Sequence, residues 1–143
     1  MTYIDLQDWT DLRSGSKRAR VLADDTLEYN TSLRGKLALP LTLLAAVLIA
    51  FGTLWPNSGP GGPPGQDKVM HALAFAALVL PAALWSRRHL IWLVPAALAY
   101  GGLIEIVQPF VGRGAEWMDL IADAVGIALA LLAARFAPAW WRE

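Results

Sequence analysis

The chain has 143 residues, of which 56% are hydrophobic and 17% are charged, and its mean hydropathy is +0.42. Soluble domains are typically about 45–50% apolar and about 25% charged, so this composition indicates a membrane protein. Twelve Lys and Arg residues balance twelve Asp and Glu residues, which excludes a nucleic-acid partner on charge. The absence of cysteine excludes a disulfide framework, a cysteine metal ligand and a thiol nucleophile.

The charges divide the chain into two parts. Residues 1–36 hold six acids and six bases, whereas the remaining residues share the other twelve charges and contain every long apolar run. We therefore predict a polar cytoplasmic segment over residues 1–36 and a membrane domain over residues 37–139. In the first segment, Leu6, Trp9 and Leu12 recur at three-residue spacing. This partly amphipathic pattern leaves three interpretations open: an interfacial helix, a docking segment for a partner protein, and a partly disordered tail.

Four apolar stretches are long enough to cross a bilayer, which takes about 20 residues in a helix. We predict that they run from Leu37 to about Trp55, from Asp67 or Lys68 to just before Arg87, from about Leu90 to Gln108, and from about Met118 to Ala137. Residues 56–66 include eight Pro and Gly residues and are predicted to form an extended external connector. The predicted fold class is all-α, an integral membrane bundle of four transmembrane helices. Three helices with one re-entrant segment are the alternative.

Small residues recur at four-residue spacing on the third and fourth predicted helices. Ala97 and Gly101 align on the third helix, and Ala122, Gly126, Ala130 and Ala134 align on the fourth. This pattern predicts that membrane helices approach one another closely along these faces.

The positive charges predict the orientation, because Lys and Arg accumulate on the cytoplasmic side. With both termini in the cytoplasm, ten Lys and Arg residues lie inside, and two, Lys68 and Arg113, lie outside. We therefore expect a multi-pass protein of the bacterial inner membrane, with the lipid bilayer as its first partner.

This topology collects polar residues from three helices at the extracytoplasmic end. A charge costs up to about 2.5–3.5 kcal/mol at the middle of a membrane, so these groups are expected to face one another in a shallow polar pocket. Asp67 is also expected to cap the second helix. The candidate site residues are Asp67, Lys68, His71, Glu105, Gln108, Arg113, Asp119 and Asp123.

The order of these residues resembles a known family. Asp67-Lys68-x-x-His71, Glu105-x-x-Gln108, Arg113, Asp119 and Gly126 together resemble the VanZ-like family of small polytopic membrane proteins, over roughly residues 37–135. Asp123 departs from the pattern, because the family usually has Asn there. The resemblance implies a cell-envelope protein related to one linked to resistance to the antibiotic teicoplanin. It implies a fold and a site more than a reaction.

Two functions are favoured for the cluster. In the first, Lys68, Arg113 and His71 bind an anionic envelope lipid or cell-wall precursor. The carboxylates and Gln108 orient these bases and form hydrogen bonds with hydroxyl or amide groups of the ligand. In the second, the cluster locks the helices together by ion pairs. The chain would then be an accessory subunit of a larger respiratory, photosynthetic or envelope complex, contacted through residues 1–36 or the transmembrane helices.

Catalysis is the third function that the residues leave open. His71 with Glu105 or Asp119 has the groups of a general base, and Lys68 with Arg113 has the charge to stabilise an oxyanion. No nucleophile motif or dense metal-ligand motif is present, so no catalytic residue, metal or cofactor is assigned. The imidazole and carboxylates of His71, Glu105, Asp119 and Asp123 nevertheless suit divalent ions.

Overall fold

The computed structural model describes residues 16–55, 63–138 and 141, and describes side chains from residue 33 onward. Within these ranges the regular structure is entirely helical. The described residues form four α-helices, α1 (Ser16–Leu54), α2 (Gln66–Trp85), α3 (Leu90–Val107) and α4 (Trp117–Phe136). Short 3-10 turns, Arg87–His89 and Gln108–Val111, flank α3 on either side.

Each α-helix contributes a segment that is long and apolar enough to cross a membrane. These segments are Leu33–Leu54, Gln66–Trp85, Arg87–Val111 and Trp117–Phe136. Over the described residues the protein is therefore all-α, with four helices that are long and apolar enough to span a membrane, as in a multi-pass membrane protein. This confirms the predicted fold class.

Helix α1 begins at Ser16, 21 residues before the predicted first span, whereas its apolar membrane segment, Leu33–Leu54, lies close to the predicted span from Leu37 to about Trp55. The sequence between Ser16 and Arg34 contains neither Gly nor Pro, so its charges set where the hydrocarbon begins but do not end the helix.

The chain divides into two compact units, 1–34 and 35–143. The motif of Leu6, Trp9 and Leu12, and most of the predicted connector (56–62), lie outside the described residues.

Helices α2 and α4 form the centre of the second unit and make its most extensive helix–helix contact. The buried residues of α4 include Ala122, Gly126, Ala130 and Ala134, which confirms the predicted small-residue face. A side chain at Gly126 would collide with the Ala72 carbonyl oxygen of α2. The backbones of α2 and α4 thus approach to a distance that only glycine permits at this position.

Helices α1 and α3 flank this pair and expose most of their apolar side chains, as expected for surfaces in contact with lipid. The Thr42 hydroxyl of α1 donates to the Leu78 carbonyl of α2 over 3.1 Å. The Tyr100 hydroxyl of α3 donates to the Ala46 carbonyl of α1 over 2.6 Å. Ile49 of α1 joins the apolar core around Phe75 and Val79. Side chains therefore connect α1 to the bundle.

Candidate functional site

Polar side chains gather at one end of the bundle, where α2 and α4 begin and α3 ends. We call this the site end. The side chains lie in two layers, about 5 Å apart along the helices because one helical turn separates them. Lys68 and Asp119 define the outer layer, and His71 and Asp123 define the inner layer.

The outer layer is built around the Lys68 ammonium group. Its Nζ atom lies 2.7 Å from Glu116 Oε2, 3.0 Å from Asp67 Oδ2 and 3.4 Å from Asp119 Oδ1. The Lys68 side chain remains 31% exposed, whereas the Asp119 side chain is 6% exposed. Lys68 therefore connects α2 to α4 and to the residue that precedes α4, at the rim of the cluster.

Asp67 does not cap α2, and the prediction that it does is wrong. The residue before the helix is Gly65, with a left-handed backbone (φ 83°), and no side chain makes a capping hydrogen bond there. Asp67 lies in the first turn, where its carboxylate pairs with Lys68 and with the positive end of the helix dipole.

The inner layer is a buried histidine–carboxylate pair. His71 Nδ1 lies 2.9 Å from Asp123 Oδ1, and Asp123 is 0% exposed. Gly101 of α3 makes room for this carboxylate, because a Cβ atom there would collide with Asp123 Oδ2. Phe75, also fully buried, lies beside Gly101. The pair is therefore enclosed by three helices.

Asp119 connects the two layers. Its Oδ1 faces Lys68, and its Oδ2 lies 3.9 Å from His71 Nε2. The second distance is too long for a hydrogen bond, which needs about 2.7–3.2 Å. His71 therefore presents one ring nitrogen to Asp123 in close contact and the other to Asp119 across a gap.

Helix α3 contributes Glu105 and Gln108 to the same end. Glu105 Oε2 accepts a 2.7 Å hydrogen bond from the Glu116 backbone N–H, which fixes the half-buried carboxylate beside the start of α4. Gln108 is 1% exposed, and its Nε2 approaches the Thr53 carbonyl of α1 at 3.5 Å. A Glu105 oxygen, an Asp119 oxygen and a His71 ring nitrogen lie within 4.8 Å of one another.

Arg113 lies in the loop between α3 and α4 at the site end. Its backbone N–H donates to the Gln108 carbonyl over 3.0 Å, and the turn at Gly112 has a left-handed backbone (φ 80°). The loop thus folds back onto the end of α3 and positions the residues that follow it, including Glu116.

Glu116 is the member of the cluster that the sequence did not predict. It pairs with Lys68 through its side chain and with Glu105 through its backbone N–H. Its position three residues before Asp119 is the one signal available, because i, i+3 spacing at the start of a helix places both groups on one face. The loop conformation that brings Glu116 over Lys68 does not follow from that spacing.

Carboxylates dominate the described cluster. Five of them surround Lys68 and His71, with Arg113 in the adjoining loop, and the five are Asp67, Glu105, Glu116, Asp119 and Asp123. Several buried oxygens have no hydrogen-bond donor among the described residues, namely Glu105 Oε1, Gln108 Oε1, Asp119 Oδ1 and Asp123 Oδ2. Asp119 Oδ1 is close enough to Lys68 for an ion pair but lacks hydrogen-bond geometry.

The chain matches no family model, no curated protein and no solved structure. The fold and the cluster therefore define its class: a small membrane protein whose described residues form four apolar helices with a buried polar cluster at one end.

Proposed function

We propose that the chain is a VanZ-like protein of the bacterial inner membrane, with both termini in the cytoplasm. In this proposal the site end faces away from the cytoplasm. The cluster binds an anionic envelope lipid or cell-wall precursor. The order of Asp67-Lys68-x-x-His71, Glu105-x-x-Gln108, Arg113 and Asp119 supports the family, and the distribution of Lys and Arg supports the orientation.

The position of Lys68 is the observation that carries the binding role. Lys68 lies in the first turn of a membrane-spanning helix and its side chain is 31% exposed, so an anionic head group at the bilayer boundary can reach it. Charge-assisted hydrogen bonds to a phosphate or carboxylate are stronger than neutral ones. Ligand oxygens would compete there with the exposed carboxylate of Glu116.

An apolar groove between α3 and α4 supports a ligand with a hydrocarbon chain. Leu98 lines it on α3, and Leu120, Ile121 and Val125 line it on α4. Leu120 follows Asp119 directly, so the groove begins at the same level along α4 as the polar cluster. A head group at Lys68 and an acyl or prenyl chain in this groove would fit one amphipathic molecule.

Native mass spectrometry of the detergent-purified chain with defined lipids tests this role. We expect phosphatidylglycerol to bind more tightly than phosphatidylcholine, and Lys68→Gln to weaken binding about tenfold, the equivalent of about 1.4 kcal/mol. Glu116→Gln should strengthen binding, because it removes the carboxylate that competes for Lys68. Lys36→Gln is the control, because Lys36 lies near the start of the membrane span of α1, at the end of the bundle opposite the site end. Equal binding of both lipids, or equal effects of the two lysine variants, would contradict the role.

Lipid-linked precursors and bulk phospholipids share this chemistry, and competition separates them. Displacement of phosphatidylglycerol by a polyprenyl diphosphate analogue at equimolar concentration supports a precursor. Failure of displacement supports a phospholipid.

The accessory-subunit role is the second candidate, and the two cross-helix pairs favour it. His71–Asp123 and Lys68–Asp119 both connect α2 to α4, so the cluster locks these helices together whatever else it binds. Stoichiometric co-purification of a larger complex after gentle solubilisation of native membranes supports this role. A lone chain that binds lipid at Lys68 opposes it.

A further inference from the structure

The geometry points to a divalent-cation site formed by His71, Glu105 and Asp119 and supported by Asp123. The inference departs from the expectation of no metal, and it does not require the lipid role proposed above, because metal alone should bind. An imidazole nitrogen combined with carboxylate oxygens suits transition ions such as Zn²⁺ and Mn²⁺ better than Ca²⁺ or Mg²⁺.

The gap between His71 and Asp119 is the first observation. His71 Nε2 and Asp119 Oδ2 face each other at 3.9 Å, a distance that no hydrogen bond spans. A metal lies about 2.0–2.2 Å from nitrogen and oxygen ligands, so two ligand atoms on one ion are separated by about 3–4 Å. A Glu105 oxygen, an Asp119 oxygen and a His71 ring nitrogen lie within 4.8 Å of one another.

The support from Asp123 is the second observation. Histidines that bind metals through one ring nitrogen usually donate the other N–H to a carboxylate, which fixes the tautomer and the ring orientation. His71 has this arrangement, with Nδ1 at 2.9 Å from the fully buried Asp123 and Nε2 facing Asp119. The tautomer with hydrogen on Nδ1 leaves a lone pair on Nε2 for the ion.

The buried oxygen of Glu105 is the third observation. Glu105 Oε1 is buried and has no hydrogen-bond donor in the described part of the chain, whereas Asp119 Oδ1 faces the Lys68 ammonium group at 3.4 Å. A buried carboxylate oxygen without a donor is costly, and a cation offsets that cost directly. A second carboxylate group, Asp67, Glu116 and Asp119, does not need one, because the Lys68 ammonium already lies among its oxygens.

Metal binding is tested on the full chain in detergent after treatment with EDTA. Dialysis against Zn²⁺ or Mn²⁺, followed by elemental analysis, should give one ion per chain. Co²⁺ should bind in competition with Zn²⁺ and give a visible spectrum typical of nitrogen and oxygen ligands. Absence of any bound ion in the wild-type chain would overturn the inference, whatever the result with lipids. If an ion binds but lipid does not, the inference stands and only the lipid role is contradicted.

Three variants locate the ion. Glu105→Gln removes a ligand and should weaken affinity at least about tenfold. Asp123→Asn replaces the carboxylate that orients the His71 ring and should weaken metal affinity about 10–100-fold. Asp67→Asn is the matched control, because it removes a carboxylate of the same cluster that contacts Lys68 but not His71. Circular dichroism and thermal unfolding in EDTA verify that each variant is folded. Wild-type affinity in Glu105→Gln, or loss of binding in Asp67→Asn alone, would overturn the inference.

Discussion

His71 and Asp123 make a 2.9 Å contact between Nδ1 and Oδ1 although 52 positions separate them in the sequence. The contact joins α2 to α4 one helical turn inside the site end, and Gly101 of α3 leaves the space for the carboxylate. A buried ring N–H without an acceptor costs about 1–3 kcal/mol. The pair therefore stabilises the packing of three helices as well as orienting the imidazole.

Substitution of Asp123 separates its hydrogen bond from its charge. In Asp123→Asn the amide oxygen still accepts from His71, so we expect the free energy of unfolding to fall by less than about 1 kcal/mol, whereas Asp123→Ala should cost about 1–3 kcal/mol. Asn is also the residue that the VanZ-like pattern has at this position. Unfolding in detergent with increasing dodecyl sulfate measures both values. Equal losses in the two variants would show that the charge, and not the hydrogen bond, stabilises the bundle.

Gly126 sets the approach of α2 to α4. Because a Cβ atom there would collide with the Ala72 carbonyl, we expect Gly126→Ala to destabilise the protein by about 1–3 kcal/mol, the usual cost of overpacking. Gly102→Ala is the matched control, since nothing lies within 4 Å of its Cβ position, and alanine is there the better helix former. Thermal unfolding in the same detergent compares the two. A Gly126→Ala variant as stable as the wild type would mean that the helices separate without cost.

Much of the architecture follows from the cost of exposing charge and backbone to hydrocarbon. That cost predicts four apolar helices, and it predicts that Lys68 meets carboxylates from another helix. It does not predict that α1 starts at Ser16, because this cost applies only to the apolar segment, whereas a helix can continue through polar residues that include no Gly or Pro. The contact of Glu116 with Lys68 depends on the fold of the loop after α3, which its i, i+3 spacing to Asp119 does not determine. The hydroxyl contact of Thr42 depends on tertiary packing and has no signal in the spacing.

Thr42 provides a test of how α1 is held. Its hydroxyl donates to α2, whereas the Thr53 hydroxyl donates to Ile49 within α1. Interhelical hydrogen bonds in membranes contribute about 0.6 kcal/mol on average and up to about 1.7 kcal/mol. We therefore expect Thr42→Val to lower the free energy of unfolding by about this amount, and Thr53→Val to leave it nearly unchanged. A larger loss in Thr53→Val would assign the stabilisation to helix α1 itself.

The orientation is tested with single cysteines, because the chain has none of its own. Gly114 and His89 are exposed and lie beyond opposite ends of α3. A side chain at Gly114 would meet nothing within 4 Å. If the site end faces away from the cytoplasm, an impermeant maleimide should label Gly114→Cys in intact spheroplasts and His89→Cys only after the membrane is permeabilised. The reverse pattern would place Lys68 and its carboxylates on the cytoplasmic side and would rule out a ligand that enters from the envelope.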